Sequence, residues 1–270
     1  MPGLETNTAH SASPDFGRNH ALKEDIRAYW SKRAETFDNS TGHKIEDSVE
    51  ALAWQAMFTT ALGPLAGKRV LDLACGTGEI SRMLLALGAE VTGVDFAEPM
   101  LERARRKHKG AAFKGHLADV ENLAMEETGT YDAVINRHLV WTLTDPHAAF
   151  AEWFRVLKPG GKLLIVDGDW VNTSTMGKII RALATKISQQ DSVHGAGVDM
   201  NEHNRIIAGV HYANGLQPET LSADLKSHGF EAIRTHSMRP VYWGGMRKAP
   251  LADRLRLVAS RRFAVSATKP

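Results

Sequence analysis

Between Lys68 and Trp170 short apolar runs alternate with amphipathic segments. Arg69–Ala74 is a nearly continuous apolar run, the pattern of a strand covered on both faces. Cys75-Gly76-Thr77-Gly78 follows as a tight turn, and Glu79–Leu87 has helical periodicity closed by Gly88, a suitable left-handed cap. The same cycle repeats with a strand at Glu90–Val94 and a helix at Pro99–Lys107. A weaker strand is expected near Ala112–Lys114 and a clear one at Tyr131–Asn136. The next helix starts after Asp145, an N-cap residue, with Pro146 in its first position, and runs to near Leu157. Pro159-Gly160-Gly161 reads as a turn before the strand Lys162–Val166. Strands alternating with helices in this way predict a doubly wound α/β sheet.

The flanks read differently. Residues 1–20 are polar and aperiodic and are expected to form a disordered arm. Lys23–Thr36 spaces Ile26, Tyr29, Trp30 and Arg33 as a helix does, and Asp47–Leu62 is a second helix ended by Gly63-Pro64. After Trp170 the rhythm breaks: residues 171–217 and 239–257 are expected to be insertions. Between and after them the pattern returns as a helix at Pro218–His228, a strand at Phe230–Met238 and a last strand at Arg262–Ala267. Residues 21–63 are thus a helical N-terminal unit and residues 64–270 the α/β domain.

Composition narrows the class. A hydrophobic share of 43% is enough for a packed core and excludes disorder for most of the chain. One cysteine, Cys75, excludes a disulfide framework and a multi-cysteine zinc site. The uncharged run Ala51–Gly67 is interrupted by Gln55, Gly63 and Pro64 and is too short to span a bilayer; no secretory leader is visible. The expectation is a soluble, cytoplasmic protein. The formal charge is only +2, but nine Lys/Arg and a single acid lie from Arg234 onward, a solvated surface or a site for an anionic partner.

The chemistry concentrates in Asp72-Leu-Ala-Cys-Gly-Thr-Gly78. Gly76 and Gly78 allow close backbone approach, and free N–H groups face a ligand at the start of the helix. Asp95 ends the next strand, where a carboxylate accepts hydrogen bonds from both hydroxyls of a ribose. A dinucleotide loop would place a third glycine where Ser81 stands, and a phosphate-binding Walker loop is absent.

On Leu71–Gly78, Val91–Asp95 with Pro99-Met100, Tyr131–Val134 and Arg155–Gly161, the chain resembles the class I S-adenosylmethionine-dependent methyltransferases, most closely the small-molecule branch. The resemblance implies a Rossmann-like fold with a seven-stranded, mostly parallel sheet, N-terminal lid helices and an inserted substrate cap. It implies S-adenosylmethionine as cofactor. Asp72 would orient the methionine ammonium, the backbone of Ala74, Cys75, Gly76 and Gly78 would wrap the methionine and ribose, and Asp95 would hold the ribose. Phe96 and Met100 would flank the adenine, Asp119 and the Val120 amide would read its edge, and Asn136 would close the methionine side. The sequence departs from the commoner pattern at Ala74, often glycine.

Acceptor chemistry is expected beyond the strand ends. His138 is the first candidate for a base or positioning group, because imidazole titrates near neutrality. Asp167 is the second catalytic candidate, with Asp169 beside it; either acid would neutralise a cationic acceptor or bind a metal. Arg137 would bind a carboxylate or phosphate and Trp141 would form a wall. Tyr29, Trp30 and Arg33 would form a lid, with His43 a weaker candidate. His194, Asp199, His203 and His211 match no metal-ligand spacing, so no metal is expected. Three functions remain open: methylation of a small molecule by a monomer or homodimer, methylation of nucleic acid or protein across the basic C-terminal surface, and cofactor binding without catalysis. Against the second, no N-P-P-[YF] type motif follows the fourth strand, where Asn136-Arg137-His138 stands.

Overall fold

The computed structural model describes residues 14–39, 43–45, 47–188 and 200–270. Seven strands form one sheet in the order β3-β2-β1-β4-β5-β7-β6. They are β1 (Arg69–Leu73), β2 (Glu90–Asp95), β3 (Phe113–Leu117), β4 (Tyr131–Arg137), β5 (Leu157–Asp169), β6 (Glu231–His236) and β7 (Arg261–Thr268). β1 to β5 pair in parallel, whereas β7 runs antiparallel to both β5 and β6. The order reverses between β1 and β4, which opens the crevice where ligands of such sheets sit, at the carboxyl ends of the strands.

Residue alternation explains why these strands read as continuous apolar runs. Leu71, Leu73, Val134, Leu163 and Ile165 face one layer, with Phe150, Trp153 and Leu225. Val70, Val91, Ala133, Ile135, Leu164 and Val166 face the other, with Phe58, Met83 and Leu84. Both faces are covered by helices, so both sets of positions must be apolar. Burying each large side chain stabilises the fold by roughly 1.5–3 kcal/mol.

The helices are α1 (Pro14–Arg33), α2 (Ser48–Leu62), α3 (Glu79–Ala86), α4 (Glu98–Lys107), α5 (Pro146–Val156), α6 (Thr175–Ser188), α7 (Met200–Gly209), α8 (Pro218–Ser227), α9 (Arg239–Met246) and α10 (Leu251–Val258). Asp47 caps α2 by accepting from the Val49 amide, and Asp145 caps α5 by accepting from Ala148.

Two local expectations need revision. α1 begins at Pro14, so residues 14–20 of the expected arm are helical, while residues 1–13 lie outside the described residues. β5 starts at Leu157 and takes in the Pro159–Gly161 turn: Leu157 pairs with Tyr131 across a register shift, and Gly160 and Gly161 bond to Lys269 of the last strand's end. The regions expected as insertions carry α6 with α7 and α9 with α10, respectively.

Candidate active site

The tips of β1 and β2 are tied together by one carboxylate. Asp95 Oδ2 accepts the Gly76 N–H at 2.8 Å, and Oδ1 accepts the Ala97 N–H at 2.9 Å. The Cys75 N–H also donates to the Val94 carbonyl at 3.0 Å. Each Asp95 oxygen keeps a second lone pair, so the group can still accept from a ligand. Behind the loop a Cβ on Gly93 would stand 2.8 Å from both Cys75 Sγ and the Phe113 ring, so β2 must have glycine there for the loop to settle.

The loop's own backbone is left-handed at Ala74 (φ 51°) and Gly76 (φ 56°), and again at His138 (φ 60°), just beyond β4. Two non-glycine residues in this region, both on the site, store local strain of roughly 1–2 kcal/mol each. Gly78 serves another purpose. Its added Cβ would strike His108 Nε2, the atom that pairs with the Gly78 carbonyl at 2.8 Å, so it is a packing glycine.

A cavity of about 1080 Å³ opens above these tips. Asp72, Ala74, Cys75 and Gly76 border it from β1; Asp95, Phe96 and Met100 border it from β2 and α4; Asp119 and Val120 border it beyond β3. Arg137, His138, Leu139 and Thr142 to Thr144 close the β4 side. From the N-terminal unit come Lys23, Ile26 and Trp30, which share one face of α1, together with Phe37 and His43. Lys23 Nζ pairs with Asp119 Oδ2 and Glu121 Oε2, each at 2.6 Å, and ties the start of α1 to the far end of the cavity.

Lys23, Ile26, Phe37, Glu121 and Leu139 escaped the sequence reading. The helical spacing of Lys23, Ile26 and Trp30 was the available signal, but periodicity does not say which face meets the sheet. Of the expected lid residues, only Trp30 borders the cavity. Tyr29 is buried beneath it, its hydroxyl 3.3 Å from His203 Nδ1, and the Arg33 guanidinium lies over the Tyr29 and Trp30 rings.

Burial governs the titration of the site. Burial raises Asp72 to about 7, even though the Ser81 hydroxyl donates to it at 2.6 Å. Asp95 is raised to about 6 by burial, against three backbone N–H donors. Burial outweighs the Arg137 charge at Asp72 and the backbone donors at Asp95, so both carboxylates would be stabilised by a cation or by hydroxyl donors. His43 is lowered to about 3 by burial and by Arg137 and Arg33, and His138 falls well below its usual value through burial and the charges of Arg262 and Arg137. His138 is thus held toward its neutral imidazole form, in which one ring nitrogen accepts and the other donates.

The other acceptor-side expectations change. Asp167 does not border the cavity: its oxygens accept from Gly168 N–H, Trp170 Nε1 and Trp141 N–H, so it knits the end of β5 to the loop after β4. Asp169 turns away to the Val171 and Asn172 amides. Trp141 donates its indole N–H to the His138 carbonyl and supports the strained residue from behind. Asn136 is fully buried, with neither amide atom hydrogen-bonded, and does not border the cavity. His194 and Asp199 lie outside the described residues; among the described residues no three metal-binding side chains cluster.

Residues 71–165 match the family described as a methyltransferase domain. The matched stretch runs from β1 into β5 and takes in the loop Asp72–Gly78 and Asp95. It is 39% identical over 115 residues to a demethylmenaquinone methyltransferase of Clavibacter sepedonicus, covering 42% of this chain and 46% of that protein. It is 28% identical over 236 residues to a ubiquinone biosynthesis O-methyltransferase of Bordetella bronchiseptica, covering 86% and 89%. The chain spans about half the length of the first curated relatives it matches. Among solved structures, a phosphoethanolamine N-methyltransferase 2 of Haemonchus contortus aligns with a TM-score of 0.60 at 19% identity, over 92% of this chain and 60% of that one. A geranyl diphosphate methyltransferase aligns at 0.58 and 17% identity, over 93% and 100%. At these identities the methyltransferase structures share the fold.

Proposed function

We propose that the protein transfers a methyl group from S-adenosylmethionine to a small-molecule acceptor. The observation that carries this reading is the Asp95–Gly76 contact at the mouth of a roomy cavity whose base holds a second buried carboxylate, Asp72. The residues suit the cofactor. Asp72 faces the cavity with the Ser81 hydroxyl and the charge of Arg137 beside it and would accept a cation there; Asp95 would accept from vicinal hydroxyls; Phe96, Met100 and Val120 form an apolar slot; Asp119 and Lys23 supply polar contacts at its end. Bound in this cavity, S-adenosylmethionine supplies an electrophilic methyl carbon on a positively charged sulfur.

The chain's part is then placement and desiccation. Ala74, Cys75 and Gly76 shape the loop, and α1 covers it as a lid through Ile26 and Trp30. Leu139, Thr142 and Leu143 exclude water on the opposite side, which strengthens every electrostatic contact inside. His138, held neutral, takes the acceptor's hydroxyl or amine proton in a hydrogen bond to one ring nitrogen and aligns its lone pair. The cofactor would supply the methyl group, and His138 would hold the acceptor's hydroxyl or amine hydrogen while the displaced proton passes to water.

The basic C-terminal stretch supports a nucleic-acid reading poorly. Lys269 is bonded to the carbonyls of Phe154 and Leu157, Arg254 to those of Arg247 and Ala249, and Arg256 to Asp253. These three side chains are taken up within the fold, while Arg234, Arg239, Arg247, Lys248 and Arg261 are exposed. A monomer or homodimer in the cytoplasm completes the proposal; among the described residues no helix is long and apolar enough to cross a membrane.

Incubation with methyl-labelled S-adenosylmethionine and a small-molecule extract tests the reading. Label is expected in low-mass products. Cofactor binding with no transferred label would favour the binding-only reading, and label recovered only in macromolecules would overturn the small-molecule assignment.

A further inference from the structure

After α1 the chain folds back over the cofactor loop as a short 3-10 turn, Phe37–Asn39. The Thr77 hydroxyl donates to Asp38 at 2.5 Å and Lys107 pairs with the same carboxylate at 3.3 Å, which pins the turn to the loop after β1. The Phe37 ring lies over Gly76, 3.9 Å from where a Cβ would stand. His43 packs on that ring with centroids 4.1 Å apart, and both side chains border the main cavity. From the other side Arg137, at the end of β4, donates to the His43 carbonyl at 3.0 Å. His43 is thereby held between the cofactor loop and the tip of β4, near enough to His138 for its charge to be felt there.

The His43 ring has one hydrogen-bond partner, and that partner decides where its proton sits. Nδ1 lies 3.0 Å from the Phe37 carbonyl oxygen. A carbonyl only accepts, so Nδ1 must donate, and in the neutral ring Nε2 keeps a bare lone pair. Burial and the nearby charges of Arg137, Arg33 and Arg262 lower His43 to about 3, so a second proton is strongly disfavoured. Among the described residues nothing donates to Nε2, and the atom is not sealed in. His138 differs: its ring meets the Trp170 ring edge-on at 5.1 Å, and no described partner fixes which of its nitrogens carries the proton.

We propose that His43 is a second residue that holds the methyl acceptor: its Nε2 accepts a hydrogen bond from the acceptor molecule beside the one His138 receives. The inference rests on the methyl-transfer proposal and deepens it. Two imidazoles require two hydrogens, so the acceptor class is a primary amine, or a hydroxyl with another hydrogen-bond donor next to it. His43 removes no proton; it fixes the direction of the attacking lone pair.

Amide substitutions separate the two ring nitrogens. In His43→Asn the amide can still donate to Phe37 as Nδ1 does, but nothing replaces Nε2. In His43→Gln the longer side chain can bring an oxygen to the place of Nε2, and the donor to Phe37 is lost. Transfer is measured with methyl-labelled S-adenosylmethionine and the small-molecule extract that the wild type labels. His43→Asn should lower the rate at saturating cofactor about tenfold and His43→Gln less than about threefold, with cofactor affinity within about threefold in both, which also certifies folding. A residue that only braces Phe37 gives the opposite order. His43→Gln no faster than His43→Asn, or His43→Asn as fast as the wild type, would overturn the role. Nitrogen NMR of the wild type, with the histidines assigned, is a second test that needs no variant and no acceptor. His43 should show a protonated Nδ1 and a bare Nε2 from about pH 5.5 to 8; a protonated Nε2, or titration in that range, would equally overturn it. No label transferred by the wild type would sink the methyl-transfer reading and this role with it, whereas transfer with the opposite order sinks the role alone.

Discussion

The two halves of the site are built by opposite means. On the cofactor side, short loops at the tips of β1 and β2 are locked by backbone hydrogen bonds to a single carboxylate and by a glycine that lets Cys75 and Phe113 close in. On the side beyond β4, side chains from α2, α9 and the loop after β4 meet from distant parts of the chain. The first half is set by local sequence and can be read from it. The second depends on how helices are laid against the sheet, which local sequence does not encode.

Breaking the cofactor half should have the largest effect. Asp95→Ala removes acceptors from Gly76 and Ala97 as well as from the ribose, and should weaken S-adenosylmethionine binding about 10- to 100-fold by calorimetry. Unchanged affinity would remove the ribose assignment.

Asp72 gives a pH signature of nearly the same size. A bound cation favours the ionised carboxylate, so affinity is full above pH 7 and falls as pH drops through the value of about 7 held in the free protein. Between pH 8 and pH 6 the loss should be about tenfold, and Asp72→Asn should flatten the profile. The sign for stability is the reverse. A carboxylate whose pKa rises on folding favours the native state only while protonated, so its contribution declines as pH climbs from 3.8 towards 7 in the cofactor-free protein.

His138→Ala probes the other half. It should lower turnover about tenfold while cofactor affinity holds, because His138 borders the acceptor and donates nothing to the β1 loop. Wild-type turnover would make it a packing residue. Gly93→Ala returns to the locked half, costing about 1–3 kcal/mol in denaturant unfolding as Cys75 and Phe113 are pushed apart. Trp30→Ala should have the smallest effect, about threefold in cofactor affinity, since it opens one wall of the lid.

The legible parts follow the same division. β1, β2, β4 and the turn after β1 were visible because both sheet faces are covered and the loop needs glycine at Gly76. β3 was indistinct because it lies at the sheet edge, with Lys114 and His116 among its five residues. Gly78 does not border the cavity; its left-handed φ of 80° and the nearness of His108 both call for glycine there, a role a turn glycine does not reveal in sequence. Asp167 and Asp169 were placed in the chemistry because acids at strand ends often point outward; here backbone amides and Trp170 had claimed them first. The spacing of Lys23 with Ile26 and Trp30 marked a helix face, but not its partners Asp119 and Glu121, which lie about a hundred residues away.

The most direct measurement is a crystal structure of the protein with S-adenosylhomocysteine. The ribose hydroxyls should sit within hydrogen-bond distance of Asp95, with the homocysteine amine toward Asp72 and the sulfur facing His138. A ligand bound elsewhere, or a cavity above Gly76 filled by the protein's own side chains, would contradict the assignment at its root.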